Sequence, residues 1–339
     1  METKLLKPNE ESINLACQLL KQGEVVAVPT ETVYGLAGNS TNPNAIKKIF
    51  EAKGRPSDNP LIVHIASLDM LDGIVREFNE DAQKLANAFW PGPLTIIMPK
   101  GPKVCKETSA GLDSVGVRMP SNEIARQIIK QSGVAFSAPS ANLSGKPSPT
   151  TAEDVFADMN GRIPLIIDGG NCDAGVESTV ISVLETTPII LRPGIVTKED
   201  IESVLNKEVL LAKEVTAGVT DDRAVLSPGM KYKHYAPNAK VTIIKSTLEQ
   251  FVEFVNNNKT ENSFVMCFDG EENKMPVKAV SYGKAEDPKT QAHNLFSILR
   301  EMDKNHAEQI FVRCPDMTGI SLAVYNRLIR SAGFNIIEL

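Results

Sequence analysis

Two short polar segments contain the residue types best suited to bind a triphosphate. Lys53 and Arg55 flank a glycine in KGRP, and Ser140 and Asn142 lie far downstream in SAPSANLSGKPS. A guanidinium group matches phosphate oxygens with a planar set of donors, while a lysine adds a mobile positive charge. A loop rich in small hydroxyl side chains also exposes backbone N–H groups, which bind anions. Together the two segments predict a polyphosphate site.

Each segment also has an ordinary structural interpretation. Basic side chains are common at the ends of helices, where the helix dipole favours them, and KGRP alone is more typical of such a solvated end. The second segment could be a Ser/Pro turn, although the density of donors beside Lys146 favours an anion-binding loop. It is not a P-loop, because the pattern G-x-x-x-x-G-K-S/T is absent from the chain.

Further polar residues lie at the ends of predicted strands or inside them. Thr32 follows the apolar run EVVAVP, and ligands usually bind beyond the carboxyl ends of strands in α/β sheets. Arg118 lies within the apolar VGVRMP, where it requires a partner, either a substrate carboxylate or a protein carboxylate. His64 in LIVHI poses the same choice, and a lone strand histidine is more often structural. Ser178 and Arg192 could face the same cleft.

The composition narrows the class of protein. The chain has 339 residues, which suits two domains, and its net charge of −6 argues against binding nucleic acid through bulk charge. The five cysteines are scattered without a C-x-x-C, so we expect a cytoplasmic protein without structural zinc. The N-terminus has no apolar signal core, and no run approaches the ~20 apolar residues of a membrane span. The sequence shows no convincing catalytic triad, pair of carboxylates or redox cysteine. This argues against a hydrolase and against an oxidoreductase.

Hydrophobic patterning predicts two α/β units joined by a linker. Residues 1–206 form the first domain, and several of its strands are continuous apolar runs, as in a sheet covered on both faces. The predicted helices are 12–22 and 43–52, and the predicted strands are 24–29, 60–65, 94–98, 115–119, 134–138, 164–168, 178–183 and 188–192. Asn42 is expected to cap the second helix and Gly54 to end it.

The second half differs in pattern. Residues 207–240 are polar and rich in glycine and proline, which predicts a linker, but SPGMKYKHYAP within it can both stack on bases and pair with phosphate. Residues 241–339 alternate strands with helices at 248–256, 290–304 and 319–332, which predicts a small, mostly parallel, Rossmann-like sheet. We assign no dinucleotide to it, because G-x-G-x-x-G is absent.

Taken together, the motifs resemble one family. The chain contains, in order, PTETVYGL, KGRP, NPLIVHI, WPGPLT, VGVRMP, SAPSANLSG, DGG with GVESTV, LRPG and SPGMKYKHYAP. This set resembles the YrdC/Sua5 family, specifically the longer Sua5 type of threonylcarbamoyl-AMP synthase. The motifs span the first domain and the linker, whereas the C-terminal unit is similar in position and in its alternation of strands and helices.

The resemblance implies both a fold and an activity. The fold would be a twisted mixed α/β sheet with a concave basic cleft, followed by a smaller Rossmann-like domain. The reaction would join L-threonine, bicarbonate and ATP into L-threonylcarbamoyladenylate and release pyrophosphate. The product would serve threonylcarbamoyl modification of the tRNA adenosine next to the anticodon, through a downstream transferase and with at most indirect tRNA contact. Mg²⁺ would arrive with ATP, without protein side chains as ligands.

The resemblance also implies roles for individual residues. The threonine pocket would comprise Thr32, His64, Arg118, Ala138 and Ser178, with Arg118 on the carboxylate. ATP would be held by Lys53, Arg55, Asn59, Ser114, Ser140, Asn142, Ser148 and Arg192, and Tyr235 in the linker would close over it. No protein nucleophile is needed, because positioning and charge stabilisation by Lys53 and Arg55 suffice. Both of these side chains should point into solvent or ligand.

Two other functions fit parts of the sequence. The first is carbamoyl-adenylate chemistry, as in the YrdC-like domain of hydrogenase-maturation carbamoyltransferases. Those chains resemble this one only in the first domain, and they carry cysteine pairs that are absent here. The second is an RNA-binding or ribosome-maturation factor that uses the same basic cleft. The acidic balance and the lack of interleaved aromatic residues argue against it.

Overall fold

The computed structural model describes residues 2–216 and 235–339. These residues form an 11-stranded mixed sheet and a 5-stranded parallel sheet, as expected for two α/β domains. Most of the predicted linker, including residues 227–234 of SPGMKYKHYAP, lies outside the described residues. No helix in the described ranges is long and apolar enough to cross a bilayer.

Short strands build the large sheet, and helices cover it. The strands are β1 (Lys4–Leu6), β2 (Val26–Val28), β3 (Gly35–Asn39), β4 (Ile62–His64), β5 (Leu94–Pro99), β6 (Ser114–Arg118), β7 (Phe136–Ser137), β8 (Leu165–Ile167), β9 (Thr179–Ser182), β10 (Ile189–Arg192) and β11 (Leu210–Leu211). Their order is β1-β8-β2-β3-β7-β4-β6-β5-β9-β10-β11. The helices are α1 (Glu10–Lys21), α2 (Pro43–Lys53), α3 (Glu80–Phe89), α4 (Lys106–Ser109), α5 (Glu123–Ser132), α6 (Ala152–Met159) and α7 (Lys198–Leu205).

Helix α2 shows how local sequence signals place part of the site. Asn42 accepts hydrogen bonds from the backbone N–H groups of residues 44 and 45, and Pro43 occupies the first turn. The helix ends at Lys53, because Gly54 adopts a left-handed conformation with φ 61°. The predicted cap and the predicted end are therefore confirmed, and the basic segment begins directly at the helix terminus.

The second domain is a parallel sheet with two long helices packed on one core. Its strands are β12 (Lys240–Lys245), β13 (Ser263–Cys267), β14 (Lys278–Ser281), β15 (Gln309–Arg313) and β16 (Ile336–Glu338), in the order β14-β13-β15-β12-β16. Its helices are α8 (Leu248–Asn258), α9 (Pro288–Lys304) and α10 (Gly319–Ser331). The predicted helix positions are confirmed to within a few residues, whereas β14 was not predicted from the sequence.

The start of the predicted linker is part of the large sheet. Leu210 and Leu211 pair in parallel with Ile189 and Ile190 of β10, so ordered structure of the first domain continues beyond residue 206. At the other end, Tyr235 is buried in the core of the second domain, with its ring centroid 5.2 Å from that of Phe296. The two ends of residues 207–240 are thus anchored on different domains.

Candidate active site

One cavity collects polar residues from distant parts of the chain. Together with the open space at its mouth, it has a volume of about 760 Å³. Its walls come from the carboxyl ends of β2, β4, β6, β7 and β10, the start of β9, the end of α2 and Tyr235. Strands β4 and β6 run parallel with His64 opposite Arg118, which brings both side chains to the same edge of the sheet. Several positive side chains line the cavity: Lys53, Arg55, Arg118, Lys146 and Arg192.

Arg118 is held by a protein carboxylate. It is 4% exposed, its Nη2 lies 2.7 Å from Glu31 Oε1, and its Nη1 donates to Thr32 Oγ1 at 2.9 Å. Burial would raise the pKa of Glu31, but Arg118 outweighs burial, so this pKa lies below its ordinary value. Of the two partners that the sequence left open for Arg118, the protein carboxylate is therefore present, and it holds the guanidinium in the cavity wall.

His64 is a neutral acceptor in this cavity. Its side chain is buried, stacks on Phe136 with ring centroids 5.6 Å apart, and places Nδ1 3.1 Å from the carbonyl oxygen of Ile62. A carbonyl oxygen only accepts, so Nδ1 carries the proton and Nε2 is left as an acceptor. Burial, assisted by the charge of Arg118, lowers the pKa of His64 to about 3, which keeps the ring neutral at physiological pH.

Ser178 and Arg192 meet because β9 and β10 are antiparallel neighbours. The Nε of Arg192 donates to the carbonyl of Ser178 at 3.0 Å, and its Nη2 donates to Ser178 Oγ at 3.1 Å. Ser178 Oγ also lies 2.8 Å from Thr95 Oγ1. Burial lowers the pKa of Arg192 from its ordinary value, yet the group remains a cation at neutral pH.

The prediction that Lys53 points into solvent or ligand is wrong. Lys53 is 3% exposed, and its Nζ donates to the carbonyls of Ser140 and Asn142, the latter at 2.8 Å. The Nδ2 of Asn142 in turn donates to the carbonyls of Leu143 and Lys146. The buried carbonyl oxygens of this loop require a donor, and Lys53 provides it. Lys53 therefore holds the donor-rich loop in place, and it also lines the cavity.

Most of the predicted site residues lie on this cavity. Its lining includes the predicted residues Thr32, Lys53, Arg55, His64, Arg118, Ala138, Ser140, Asn142, Ser178, Arg192 and Tyr235. Three others are buried and do not line it: Asn59, Ser114 and Ser148. Asn59 is fully buried, and neither polar atom of its side chain has a hydrogen-bond partner within the described residues. The ligand-binding roles of all these residues stay predictions.

Ser148 faces a residue that the sequence did not single out. Its hydroxyl donates to Glu177 Oε1, and Glu177 lines the cavity. The other carboxylate oxygen accepts from Nε of Arg327, at 3.0 Å, from helix α10 of the second domain. The only signal for Glu177 in the sequence is its place beside Ser178 in GVESTV. No sequence motif indicates that Arg327 belongs near the site.

The carboxylates around the cavity are bound to arginines. Glu31 pairs with Arg118, and Glu177 pairs with Arg327. Within residues 2–216 and 235–339 no group of three or more His, Cys, Asp or Glu side chains is arranged to hold a metal ion. The donor set instead suits anions, because guanidinium, ammonium and hydroxyl groups predominate.

Fold and site together define a class of protein: a two-domain α/β protein whose larger sheet carries an anion-binding cavity. Residues 18–194 match the Sua5/YciO/YrdC family model, described as "Telomere recombination", and residues 196–333 match the model "Threonylcarbamoyl-AMP synthase, C-terminal domain". The threonylcarbamoyl-AMP synthase of Bacillus subtilis is 43% identical over 98% of this chain and 96% of the relative. That of Pyrococcus abyssi is 42% identical, over 97% and 96% respectively.

A solved structure extends the likeness to the whole fold. The crystal structure of P. abyssi Sua5 complexed with L-threonine superposes with a TM-score of 0.91 at 41% identity. The match covers 100% of this chain and 99% of the other. The chain therefore belongs to the Sua5 family of threonylcarbamoyl-AMP synthases.

Proposed function

We propose that this protein is an L-threonylcarbamoyladenylate synthase, which joins L-threonine, bicarbonate and ATP and releases pyrophosphate. The observation that carries the proposal is that one cavity presents both an amino-acid end, around Arg118, and a polyphosphate end, around Arg55 and the 140–146 loop. The relatives named as threonylcarbamoyl-AMP synthases support it, as does the related protein that binds L-threonine.

At the amino-acid end, Arg118 would pair with the threonine carboxylate. Thr32 and Ser178 also line the cavity, and Nε2 of His64 can accept a hydrogen bond from the threonine hydroxyl. Ala138 contributes a small apolar surface there, which suits the threonine methyl group. The amino group would then face the interior of the cavity, where carboxylation takes place.

At the polyphosphate end, the chain provides donors on a rigid base. Lys53 fixes the carbonyls of Ser140 and Asn142, so the loop that carries the Ser140 hydroxyl is held in place beside the cavity. Arg55 and Arg192 also line the cavity and would neutralise the charge that builds up on the leaving pyrophosphate. Tyr235 adds an aromatic wall suited to the nucleotide.

The chemistry needs no covalent enzyme intermediate. The threonine nitrogen attacks the bicarbonate carbon and water leaves, which gives a carbamate. A carbamate oxygen then attacks the α-phosphorus of ATP, the bond from this phosphorus to the β-phosphate bridge breaks, and pyrophosphate departs with the electron pair. The protein contributes alignment and charge neutralisation, which are the main catalytic terms in phosphoryl and nucleotidyl transfer.

Mg²⁺ would enter with ATP. Both carboxylates closest to the cavity, Glu31 and Glu177, are committed to arginines, so the donor set here fits the phosphates and not an ion held by protein ligands. When bound to the phosphates, the ion would supply additional neutralisation of their charge. The chain's own task is then to hold the phosphate oxygens that the ion leaves available.

The product would be used for threonylcarbamoyl modification of tRNA at the adenosine beside the anticodon. Because the cavity offers sites for small molecules, we place the final transfer on a separate downstream transferase, with tRNA contact at most indirect. We place the reaction in the cytoplasm, where ATP and tRNA are found.

A pyrophosphate-release assay tests the function. Purified protein with ATP and Mg²⁺ should release pyrophosphate only when L-threonine and bicarbonate are both present, and mass spectrometry should detect the adenylate. Release that is indifferent to threonine would refute the proposal. Tight, strongly salt-dependent RNA binding without nucleotide turnover would instead favour the RNA-binding alternative.

A further inference from the structure

The most deeply buried cation of the second domain reaches into the first. Arg327 on α10 is 0% exposed. Its Nε donates to Glu177 Oε2 at 3.0 Å, its Nη2 donates to the Glu177 carbonyl at 3.2 Å, and its Nη1 donates to the carbonyl of Pro193. The guanidinium thus binds two separate segments of the first domain at once.

Those two segments carry residues of the cavity. Glu177 immediately precedes Ser178, and Pro193 immediately follows Arg192. Ser178 and Arg192 are in turn hydrogen bonded to each other. Arg327 holds the backbone at positions 177 and 193, and it therefore fixes the position of the Ser178 side chain relative to that of Arg192. Neither the start of β9 nor the end of β10 would fix this relative position alone.

The carboxylate of Glu177 extends this arrangement to the donor-rich loop. Its Oε1 accepts from Ser148, while burial, which would raise its pKa, is outweighed by Arg327 and then Arg192, so the pKa lies below its ordinary value. A permanently charged acceptor orients the Ser148 hydroxyl towards Glu177. Ser148 therefore holds the end of the loop and does not present a donor to the cavity.

A second arginine of the same domain holds the adjacent residue. Arg300 on α9 donates to the carbonyl of Pro147 at 2.6 Å and to Asp158 at 2.8 Å. Two helices of the second domain thus bind the loop end at positions 147 and 148, one directly and one through Glu177. The loop that carries Ser140 and Asn142 is therefore tied to both domains.

We propose that Arg327 is a positioning residue for the reaction: through Glu177 and the carbonyl of Pro193, the second domain sets the placement of Ser178, Arg192 and the Ser148 end of the loop. This inference rests on the proposed function, since it assigns Arg327 to the same site. It gives the second domain an indirect part in substrate binding, because Arg327 does not itself line the cavity.

The test must separate positioning from the cost of an unpaired buried charge. Glu177→Gln keeps the shape and the acceptor for Ser148, and adding Arg327→Met to it removes the guanidinium without leaving a lone carboxylate. We expect the double variant to fold and to show a KM for ATP about tenfold above that of Glu177→Gln, as for the loss of one well-oriented charged contact. Equal KM values in the two variants would overturn the proposal.

Two further variants complete the comparison. Arg327→Lys retains the charge at Glu177 but lacks the planar fork that reaches both carbonyls, so its KM for ATP should also rise, and a wild-type KM would contradict the proposal. Lys304→Met removes another ion pair between the domains, to Asp154, from a lysine side chain that is 68% exposed. It is the matched control, and its KM should match that of the natural protein.

Equilibrium binding separates failure of this inference from failure of the proposed function. If the natural protein released no threonine-dependent pyrophosphate, the proposed function would fail. Calorimetric titration of ATP into the same variants would still decide the role of Arg327. We expect the dissociation constant for ATP to be about tenfold larger in the double variant than in Glu177→Gln.

Discussion

Glu31 and Arg118 form a buried ion pair, 2.7 Å long, in the wall of the cavity. Arginine has five N–H donors: Nε donates to the carbonyl of Gly92, Nη1 donates to Thr32, and Nη2 forms the ion pair with Glu31. At least one N–H on each terminal nitrogen therefore remains for a ligand, and a carboxylate is the group that a guanidinium binds best. The Glu31 carboxylate therefore orients the Arg118 guanidinium and still leaves N–H donors for a ligand.

Replacing Arg118 should affect threonine binding and stability separately. Arg118→Met removes the carboxylate contact, and we expect threonine affinity to fall about 100-fold, as for the loss of a bidentate charged interaction. It also leaves Glu31 buried and unpaired, which should lower the free energy of unfolding by about 3 kcal/mol. Calorimetry with L-threonine and urea unfolding measure the two effects.

Adding Glu31→Gln to Arg118→Met separates the effect on threonine binding from the effect on stability. The double variant carries no unpaired charge, so its free energy of unfolding should recover towards that of the natural protein. Threonine binding should stay weak. If binding returned together with stability, Arg118 would be a structural residue and not a carboxylate ligand.

Three buried groups make stability fall as the pH is lowered. The pKa of His64 is lowered to about 3, so the unfolded chain takes up a proton below pH 6.5 while the folded protein does not. The pKa values of Glu31 and Glu177 lie below 4.5, so their contribution is present above pH 4.5 and is lost as the pH falls through the folded values. Each group adds a slope of up to about 1.4 kcal/mol per pH unit.

Urea unfolding between pH 7 and pH 4 checks this dependence. The free energy of unfolding should begin to fall near pH 6.5 because of His64, and should fall more steeply below pH 4.5 because of the two carboxylates. In His64→Gln the free energy of unfolding should decline less steeply between pH 6.5 and pH 5, by up to about 1.4 kcal/mol per pH unit, which is the slope for uptake of one proton. An unchanged slope in this variant would show that His64 is protonated in the folded state.

Lys53 and Arg55 should respond differently to truncation, although they are two residues apart. Lys53→Met leaves the carbonyls of Ser140 and Asn142 without their donor, so we expect a loss of about 2 kcal/mol in unfolding free energy together with weaker ATP binding. Arg55 is only partly buried, so Arg55→Met should weaken ATP binding at nearly unchanged stability. Equal stability losses in the two variants would contradict this distinction.

Local signals explain which elements the sequence could predict. Helix α2 was predicted because its cap at Asn42 and its end at Gly54 lie within the segment itself. Strand β3 was missed because GLAGN contains two glycines and little of the β-branched composition on which strand prediction depends. The predicted strand at 134–138 is reduced to Phe136–Ser137, since its apolar run continues into the loop that carries Ser140.

The candidate site divides in the same way. The motifs placed Arg118, Ser178 and Arg192 on one cavity, but they could not show what holds them there. The partner of Glu177 lies 150 positions away on α10, and such a pairing depends on how two domains pack. For Lys53 the composition of KGRP indicates a charge at a helix end, whereas its direction is set by carbonyls 87 and 89 positions downstream.

Gly194 tests how closely the ends of β9 and β10 must approach. A Cβ atom at this position would lie 2.4 Å from the backbone nitrogen of Thr179 and 2.9 Å from the carbonyl carbon of Ser178. Backbone atoms cannot move aside as a flexible side chain can, so Gly194→Ala must push the two strand ends apart. The hydrogen bonds between Arg192 and Ser178 would lengthen, and we expect KM to rise severalfold for both ATP and L-threonine, with a loss of about 1–3 kcal/mol in stability.

Gly133→Ala is the control for this prediction, because Gly133 ends α5 away from the cavity and a Cβ there meets nothing within 4 Å. Its left-handed φ of 68° should cost about 1 kcal/mol in stability while KM stays unchanged. Steady-state kinetics and urea unfolding on both variants separate the two effects. If Gly194→Ala lost stability but kept both KM values, the spacing between Ser178 and Arg192 would not limit substrate binding, and the threonine and ATP ends of the cavity would be less closely coupled than their shared hydrogen bonds indicate.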